Sequence, residues 1–145
     1  MNPGLFVCYN VLGDIMERIE KQMQFILEID KEKQIKRKTL QSNGKDFEDD
    51  AQHAWHMAIM TLLLSEYANE KIDVLKTISM LLIHDLVEID AGDTYAYDAE
   101  GLKTQKAREE AAKERIFSLL PDDQKKELSA LFDEFEANET PESRF

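Results

Sequence analysis

The sequence predicts an all-α protein that folds as a single domain of five or more helices, and three observations point to this class. Its 145 residues are a usual length for one compact domain. Only five Gly and three Pro occur, which leaves little chain for long loops, and 33% charged residues accompany 43% hydrophobic ones, a mixture typical of amphipathic helices. No segment shows the two-residue alternation that predicts a strand, and no internal repeat is present.

The first predicted helix covers residues 14–38. Its apolar residues recur at steps of three and four positions, namely Met16, Ile19, Met23, Ile26 and Ile29. Residues 1–13 are expected to be an N-terminal extension, and residues 14–145 the domain. The apolar stretch 5–12 has no basic region before it, so it is not expected to be a signal peptide.

Two strongly apolar helices are predicted next, at residues 51–69 and 72–89. Residues 39–50 before them are mostly polar and contain an Asn-Gly pair, which is typical of a loop. Asp49 or Asp50 is expected to cap the first of the two helices. Because both helices are apolar on nearly every side, they are expected at the centre of the fold.

The remaining chain predicts two more helices. The second apolar helix is expected to end at Gly92, and residues 93–102, which include two tyrosines, are expected to form a polar loop. A fourth helix is predicted at residues 103–119. Pro121 suits the first turn of a fifth helix, because its fixed φ is already helical and its missing N–H is not needed there.

The charge of the chain limits its partners. It has 18 Lys+Arg against 30 Asp+Glu, a net charge of −12 and a pI near 4.7. An acidic surface repels polyanions, so no nucleic-acid polymer is expected as a partner. No apolar run of about 18 residues predicts a membrane span. The single cysteine excludes an internal disulfide framework and fits a reducing compartment, which makes the cytoplasm the expected location.

All three histidines lie on the two apolar predicted helices. His53 and His56 belong to the first, and His84 belongs to the second, where Asp85 and Glu88 follow it. Two carboxylates in so apolar a segment cost several kcal/mol if they are desolvated without partners. Their negative charge therefore needs compensation.

Two interpretations of this cluster are open. In the first, the acids accept hydrogen bonds from the histidines or an arginine and form a buried polar network without a ligand. In the second, imidazoles and a carboxylate from two helices converge on a divalent metal ion, as in the cores of helical bundles. The concentration of every histidine beside acids favours the metal. Because His53 and His56 are about one helical turn apart, spacing does not choose between them.

Two segments resemble the HD-domain phosphohydrolases. They are residues 50–56, Asp-Ala-Gln-His-Ala-Trp-His, and residues 84–94, His-Asp-Leu-Val-Glu-Ile-Asp-Ala-Gly-Asp-Thr. The likeness is greater to the subgroup related to bacterial 5'-deoxynucleotidases, whose first motif normally reads Glu-His-Ser and whose second runs His-Asp, then Glu, then Gly-Asp. Residues 134–142 also resemble this subgroup. The resemblance extends from about residue 14 to the end and implies a helical bundle of the HD-domain type.

The resemblance implies three metal ligands, His53, His84 and Asp85, with His56 as a neighbour. The sequence departs from the family at Gln52, which stands where an acid normally helps to orient the first histidine. A change of this kind is expected to weaken metal binding by about 10- to 100-fold. The fourth ligand of the family, an aspartate in a C-terminal helix, is expected just beyond residue 145.

The resemblance also assigns three further roles. Glu88 matches the acid/base carboxylate of the family, and Asp93 matches a second carboxylate near the substrate. Arg37 stands where these proteins have an arginine that contacts the substrate. The expected metal is Mn²⁺, Co²⁺, Fe²⁺ or Zn²⁺, since a ligand set of imidazoles and carboxylates suits all four.

The leading hypothesis for function is a metal-dependent 5'-nucleotidase that hydrolyses (deoxy)nucleoside 5'-monophosphates to nucleoside and phosphate. A small-molecule nucleotide is the expected partner, and a homodimer is left open. One alternative is an HD phosphodiesterase or pyrophosphohydrolase that acts on another nucleotide. Against it, Ile89 separates Glu88 from Asp90, whereas the alarmone hydrolases have consecutive Glu-Asp. The other alternative is a non-catalytic, metal-binding helical protein.

Overall fold

The computed structural model describes residues 3–94 and 99–145, with side chains described from residue 13 onward. Five long helices dominate the fold: α1 (Pro3–Ile29), α2 (Asp50–Leu64), α3 (Val74–Ile83), α5 (Ala99–Phe117) and α6 (Asp122–Ala137). Two one-turn helices complete them, α4 (Glu88–Ala91) and α7 (Pro141–Arg144). The predicted all-α class with five or more helices is confirmed. No helix in the described ranges is long and apolar enough to cross a membrane.

The prediction for residues 14–50 is wrong at two points. The first helix ends at Ile29 rather than at residue 38, and a 3₁₀ turn, Asp30–Gln34, follows it. The chain then forms an antiparallel hairpin of β1 (Lys36–Leu40) and β2 (Phe47–Asp49), where no strand was predicted. The hairpin is short and mostly exposed, so it needs no apolar alternation and leaves no periodic signal.

The start of α2 is set by local hydrogen bonds. Asp49 is the N-cap, and its Oδ1 accepts a hydrogen bond of 2.9 Å from the backbone N–H of Gln52. In return, Oε1 of Gln52 accepts a bond of 3.1 Å from the N–H of Asp49. This reciprocal pair is a capping box. Asp49, one of the two predicted caps, therefore has that role, and Asp50 is the first helical residue.

The second apolar helix is interrupted where its histidine lies. It was predicted as one helix at residues 72–89, but α3 ends at Ile83, and a 3₁₀ turn, His84–Val87, leads to α4. Gly92 has a φ of 73° and ends α4, as predicted. A 3₁₀ stretch within a helical segment often marks a functional hinge or a strained sequence.

The core lies between α1, the His84–Val87 turn, α5 and α6. Phe117 is fully buried at its centre, with its ring centroid 6.5 Å from that of Phe25 and 6.2 Å from that of Phe132. The buried members of this cluster are Phe25, Leu86, Val87, Ala91, Ala112, Ile116, Phe117, Leu120 and Phe132. The His84–Val87 turn is thereby anchored against the core through Leu86 and Val87.

The expectation that the apolar helices lie at the centre is wrong for one side of each. Trp55 and Leu63 on α2 are 63% and 67% exposed, and Leu75 on α3 is 74% exposed. The buried residues of α2 are Asp50, Ala54, Ala58 and Thr61. Hydropathy reports how apolar a helix is, whereas packing decides which of its faces meets a neighbour.

Two predicted regions lie partly outside the described residues. The loop predicted at 93–102 includes Tyr95 and Tyr97, which lie outside them, and α5 begins at Ala99, before the predicted start at residue 103. Residues 3–13 belong to the same helix as residues 14–29. The division into an extension and a domain stays a prediction.

Candidate metal centre

Two elements bring the predicted ligands together. His53 lies in the second turn of α2, while His84 and Asp85 open the 3₁₀ turn after α3. One nitrogen from each imidazole and one carboxylate oxygen lie within 4.8 Å of one another. Asp85 is buried and both histidines are half-buried. We call these three residues the histidine–aspartate group; its spacing is that of side chains able to surround one metal ion.

His84 is oriented by a backbone carbonyl. Its Nδ1 lies 2.9 Å from the carbonyl oxygen of Leu81, so an Nδ1–H donor leaves Nε2 with a free lone pair. Nε2 lies 3.0 Å from Oδ2 of Asp85. Burial is the largest influence and opposes a charge on His84, but the hydrogen bond and negative charge of Asp85, together with the Leu81 carbonyl, outweigh it and raise the pKa of His84. A metal that binds Nε2 therefore displaces a proton. A hydrogen bond from the second ring nitrogen to a carbonyl is the usual support of a metal-binding histidine.

His53 and His56 have different surroundings, and only His53 belongs to the histidine–aspartate group. His53 is half-buried, and its ring centroid lies 5.8 Å from that of His84. Burial and the positive charge of Arg37 lower the pKa of His53, which favours the neutral imidazole that binds metals. His56 is exposed and stacks on Trp55, with ring centroids 6.2 Å apart. His53 is therefore the member of the site.

Arg37 reaches the group from the hairpin. The side chains of β1 alternate, so Arg37 points inward while its two lysine neighbours are exposed. Its Nη1 donates hydrogen bonds of 2.7 Å to Oδ2 of Asp85 and 3.1 Å to Oδ1 of Asp50, and lies 4.0 Å from Oε2 of Glu88. Burial opposes the guanidinium charge, but these carboxylates outweigh it and raise the pKa of Arg37.

Glu88 and Asp50 form a buried acidic pair beside the group. Glu88 is 8% exposed and Asp50 is fully buried. Burial, then the charges of Asp85 and Asp50, raise the pKa of Glu88 to about 9. Burial and the charge of Asp85 raise the pKa of Asp50 to about 6, against a hydrogen bond with Glu88. The raised pKa keeps the Glu88 carboxyl protonated at neutral pH.

Sequence reasoning missed Asp50 as a member of this pair, because it considered that residue only as a helix cap. It also missed Glu32, which lies in the Asp30–Gln34 turn and is 9% exposed. Its Oε1 is buried without a hydrogen-bond partner among the described residues. Burial, followed by the charges of Asp85 and Asp50, raises the pKa of Glu32 to about 7. A glutamate amid lysines on a predicted helix gives no signal of such burial.

The pKa of Glu32 predicts a pH-dependent stability. Its folded-state pKa of about 7 exceeds the ordinary value of 4.5, so the folded state binds more protons and loses stability as pH rises through this window. In Glu32→Gln this loss is absent. The free energy of unfolding of the variant relative to wild type is expected to grow by about 2 kcal/mol between pH 5.5 and pH 8, since one pKa unit corresponds to about 1.4 kcal/mol.

Urea denaturation of the chelator-treated protein at both pH values measures this difference. Glu66→Gln is the matched control, because Glu66 is exposed. The prediction would be contradicted if the free energy of unfolding of Glu32→Gln relative to wild type did not increase with pH.

Asp93 has fewer contacts in the structure than the other predicted site residues. It lies half-buried in the loop after Gly92 and forms no hydrogen bond or ion pair with another residue in the described part of the chain. Its neighbours are held by Arg108, a residue that sequence reasoning missed. The Arg108 guanidinium donates hydrogen bonds to the carbonyl of Ala91 and, over 2.7 Å, to Oγ1 of Thr94. The structure thus places Asp93 just after α4, outside the histidine–aspartate group.

The chain is similar to known proteins in sequence and in fold. A family model described as "HD domain" matches residues 29–145. The human protein "5'-deoxynucleotidase HDDC2" is 30% identical over 93 residues, which cover 64% of this chain and 44% of that protein. The zebrafish (Danio rerio) protein of the same name is 30% identical over 102 residues, or 70% and 50% of the two chains. The chain thus spans about half the length of these curated relatives.

Two solved structures have a similar fold. A predicted metal-dependent phosphohydrolase from Magnetospirillum magnetotacticum is 49% identical, with a TM-score of 0.84 that covers 89% of this chain and 64% of that one. A conserved hypothetical protein from Pyrococcus furiosus is 28% identical, with a TM-score of 0.65 over 84% and 70% of the two chains. Both support the helical architecture, and the first is described as metal-dependent.

Proposed function

This chain belongs to the HD-domain family, and from that premise we propose that it is a metal-dependent phosphohydrolase and, more narrowly, a 5'-nucleotidase that converts (deoxy)nucleoside 5'-monophosphates to nucleoside and phosphate. The observation on which this rests is the convergence of His53, His84 and Asp85, whose ligand atoms lie within 4.8 Å of one another. The names of the relatives support the substrate class at about 30% identity.

The donor set fits a divalent metal. One ring nitrogen of each imidazole faces a protein oxygen, the Leu81 carbonyl for His84 and the Glu48 carboxylate for His53, so the other nitrogen of each is the one available to a metal. Two imidazole nitrogens and one carboxylate oxygen suit Mn²⁺, Co²⁺, Fe²⁺ or Zn²⁺. When bound, such an ion supplies Lewis-acid chemistry, which activates water and polarises a phosphoryl oxygen. His53, His84 and Asp85 are the residues that would hold it.

Arg37 is proposed to bind the phosphate of the substrate. Its guanidinium lies at the Asp85 carboxylate, and the residue also borders an open surface cleft of about 890 Å³ together with Lys36 and Lys38. A guanidinium offers a planar set of donors that matches phosphate oxygens. In a chain of net charge −12, this basic strand is a local site at which a phosphate is attracted rather than repelled.

Glu88 is proposed to move the proton. Hydrolysis breaks the bond between phosphorus and the ester oxygen; water provides the new oxygen of phosphate, and a proton passes to the leaving 5' oxygen. The raised pKa of Glu88 keeps its carboxyl protonated near pH 7, as a general acid requires. Asp93, matched by position in the motif, is proposed to orient the water or the sugar. A cytoplasmic location and a homodimer stay predictions.

Phosphate release from a panel of nucleotides tests the proposal. Purified protein is assayed with Mn²⁺ or Co²⁺ against deoxynucleoside 5'-monophosphates, the corresponding 3'-monophosphates, cyclic nucleotides and pyrophosphorylated nucleotides. We expect release from the 5'-monophosphates, with loss after chelation and recovery when metal is returned. Activity confined to cyclic or pyrophosphorylated nucleotides would replace the 5'-nucleotidase by the phosphodiesterase or pyrophosphohydrolase alternative. Metal binding without any hydrolysis would favour the non-catalytic one.

A further inference from the structure

We propose that Glu48 is a positioning residue that holds the His53 imidazole in the orientation needed for metal binding. The inference rests on the proposed metal-dependent function and goes beyond it by assigning a support to one ligand. Nδ1 of His53 lies 3.3 Å from Oε1 of Glu48. With Nδ1 turned to this carboxylate, Nε2 is the nitrogen left for the metal, as in carboxylate–histidine–metal arrangements.

The geometry of the helix start explains why these two side chains meet. Asp49 is the N-cap of α2, so Glu48 occupies the position before the cap and His53 the fourth position of the helix. In many helices these two positions hold apolar residues that pack together as a hydrophobic staple. In this chain the same pair is a carboxylate and an imidazole. The contact therefore follows from the capping box itself.

Hydrogen bonds fix the start of α2 around the Glu48–His53 pair. Asp49 and Gln52 exchange the two hydrogen bonds of the capping box, 2.9 and 3.1 Å long. Lys36 of β1 contributes Nζ at 3.2 Å from Oδ2 of Asp49, which ties the hairpin to the cap. Glu48 is in β2 and its side chain is only 14% exposed. A partly buried carboxylate on a braced strand can hold a ring orientation that a mobile surface side chain cannot.

Glu48 also accounts for the family departure at residue 52. The acid expected to orient the histidine is replaced by Gln52, whose amide is engaged in the capping box. A carboxylate five residues before His53 supplies the contact instead. The same oxygen, Oε1 of Glu48, lies 3.9 Å from Nε of Arg37, so one carboxylate faces both the ligand and the proposed phosphate-binding arginine.

Metal titration of three variants tests the proposal. Mn²⁺ affinity is measured by calorimetry for wild type, Glu48→Ala, Glu48→Gln and the control Asp46→Asn. Removal of the support in Glu48→Ala is expected to weaken binding by about 10- to 100-fold, the usual effect of losing such a partner. Glu48→Gln keeps an acceptor oxygen and is expected to recover most of that loss. Asp46→Asn removes one charge two residues away, on an exposed side chain of the hairpin, so its affinity is expected to stay near that of wild type.

A spectroscopic readout separates this proposal from the proposed function. ¹⁵N NMR of the metal-free protein reports which nitrogen of His53 bears the proton, and we expect Nδ1–H in wild type and Glu48→Gln but a mixture of tautomers in Glu48→Ala. Unchanged affinity and an unchanged tautomer in Glu48→Ala would overturn the role of Glu48. An equal loss in Asp46→Asn would overturn it too, because general charge would then explain the effect. If wild type shows Nδ1–H but binds no Mn²⁺, the proposed function fails while the positioning by Glu48 is supported.

Discussion

Asp85→Ala is expected to abolish both metal binding and phosphate release. Asp85 contributes the carboxylate of the histidine–aspartate group, and its Oδ2 lies 3.0 Å from Nε2 of His84. Without it, two imidazoles remain to hold the ion. Since a catalytic metal stabilises the transition state by several kcal/mol, its loss corresponds to a fall in kcat/KM of about 10³-fold or more.

The measurement has three parts: bound metal by elemental analysis, phosphate release, and far-UV circular dichroism as a check on folding. Asp14→Ala is the matched control, because Asp14 is exposed on α1. Removing Asp85 also takes the 2.7 Å hydrogen bond from the half-buried Arg37, so Asp85→Asn is made in parallel to keep the shape of the side chain. Hydrolysis at the wild-type rate in a folded Asp85→Ala protein would remove Asp85 from the mechanism.

Glu88→Gln is expected to separate catalysis from metal binding. Its carboxyl group is buried, and burial with the charges of Asp85 and Asp50 keeps it protonated near neutral pH. An amide of the same shape has no acidic proton to transfer, so kcat is expected to fall by about 10²- to 10⁴-fold, the usual contribution of a general acid. Metal content is expected to stay near that of wild type, because Glu88 is not in the histidine–aspartate group.

The control for Glu88 is a second acid on the same short helix. Asp90 forms an exposed ion pair with Arg115, and Asp90→Asn is expected to change stability by less than about 1 kcal/mol and kcat little. Single-turnover phosphate release at saturating Mn²⁺ and nucleotide measures the catalytic step for both variants. Loss of metal together with activity in Glu88→Gln would show that Glu88 is a ligand rather than the proton donor.

Helices were predictable here because their signals are local. The steps of three and four between apolar residues, the cap at Asp49 and the stop at Gly92 all act within a few residues of the chain. The predicted helix boundaries were wrong where the sequence has no strong stop signal. The first helix was predicted to extend to residue 38, but α1 ends at Ile29, before a run of charged residues. The hairpin after it escaped prediction because a short, exposed ribbon has no buried face to impose an alternating pattern.

The residues of the candidate site also differ in how clearly the sequence indicates them. The motif around His84, with Asp85 and Glu88, stands out because charged side chains interrupt an apolar run, and the resemblance adds His53 and Arg37. Their roles as ligands, acid and phosphate contact stay predictions. Glu48 lay within reach of local reasoning, since its contact follows from the position of the cap, but the sequence allowed Asp49 or Asp50 as that cap. Once Asp49 is known to be the cap, the partner of His53 is known as well.

Sequence alone was sufficient for the helical class and, through the resemblance of two motifs, for the family, because both depend on residue types at short separations. The roles of the site residues stay predictions. Tertiary packing was needed to place His53 beside His84 while His56 stays exposed, to turn Arg37 onto a carboxylate 48 positions away, and to bury Glu32 and Asp50 beside Asp85. These features depend on how α2, the hairpin and the His84–Val87 turn meet in space. Residues far apart in sequence become neighbours only through the burial of surfaces that no local pattern specifies.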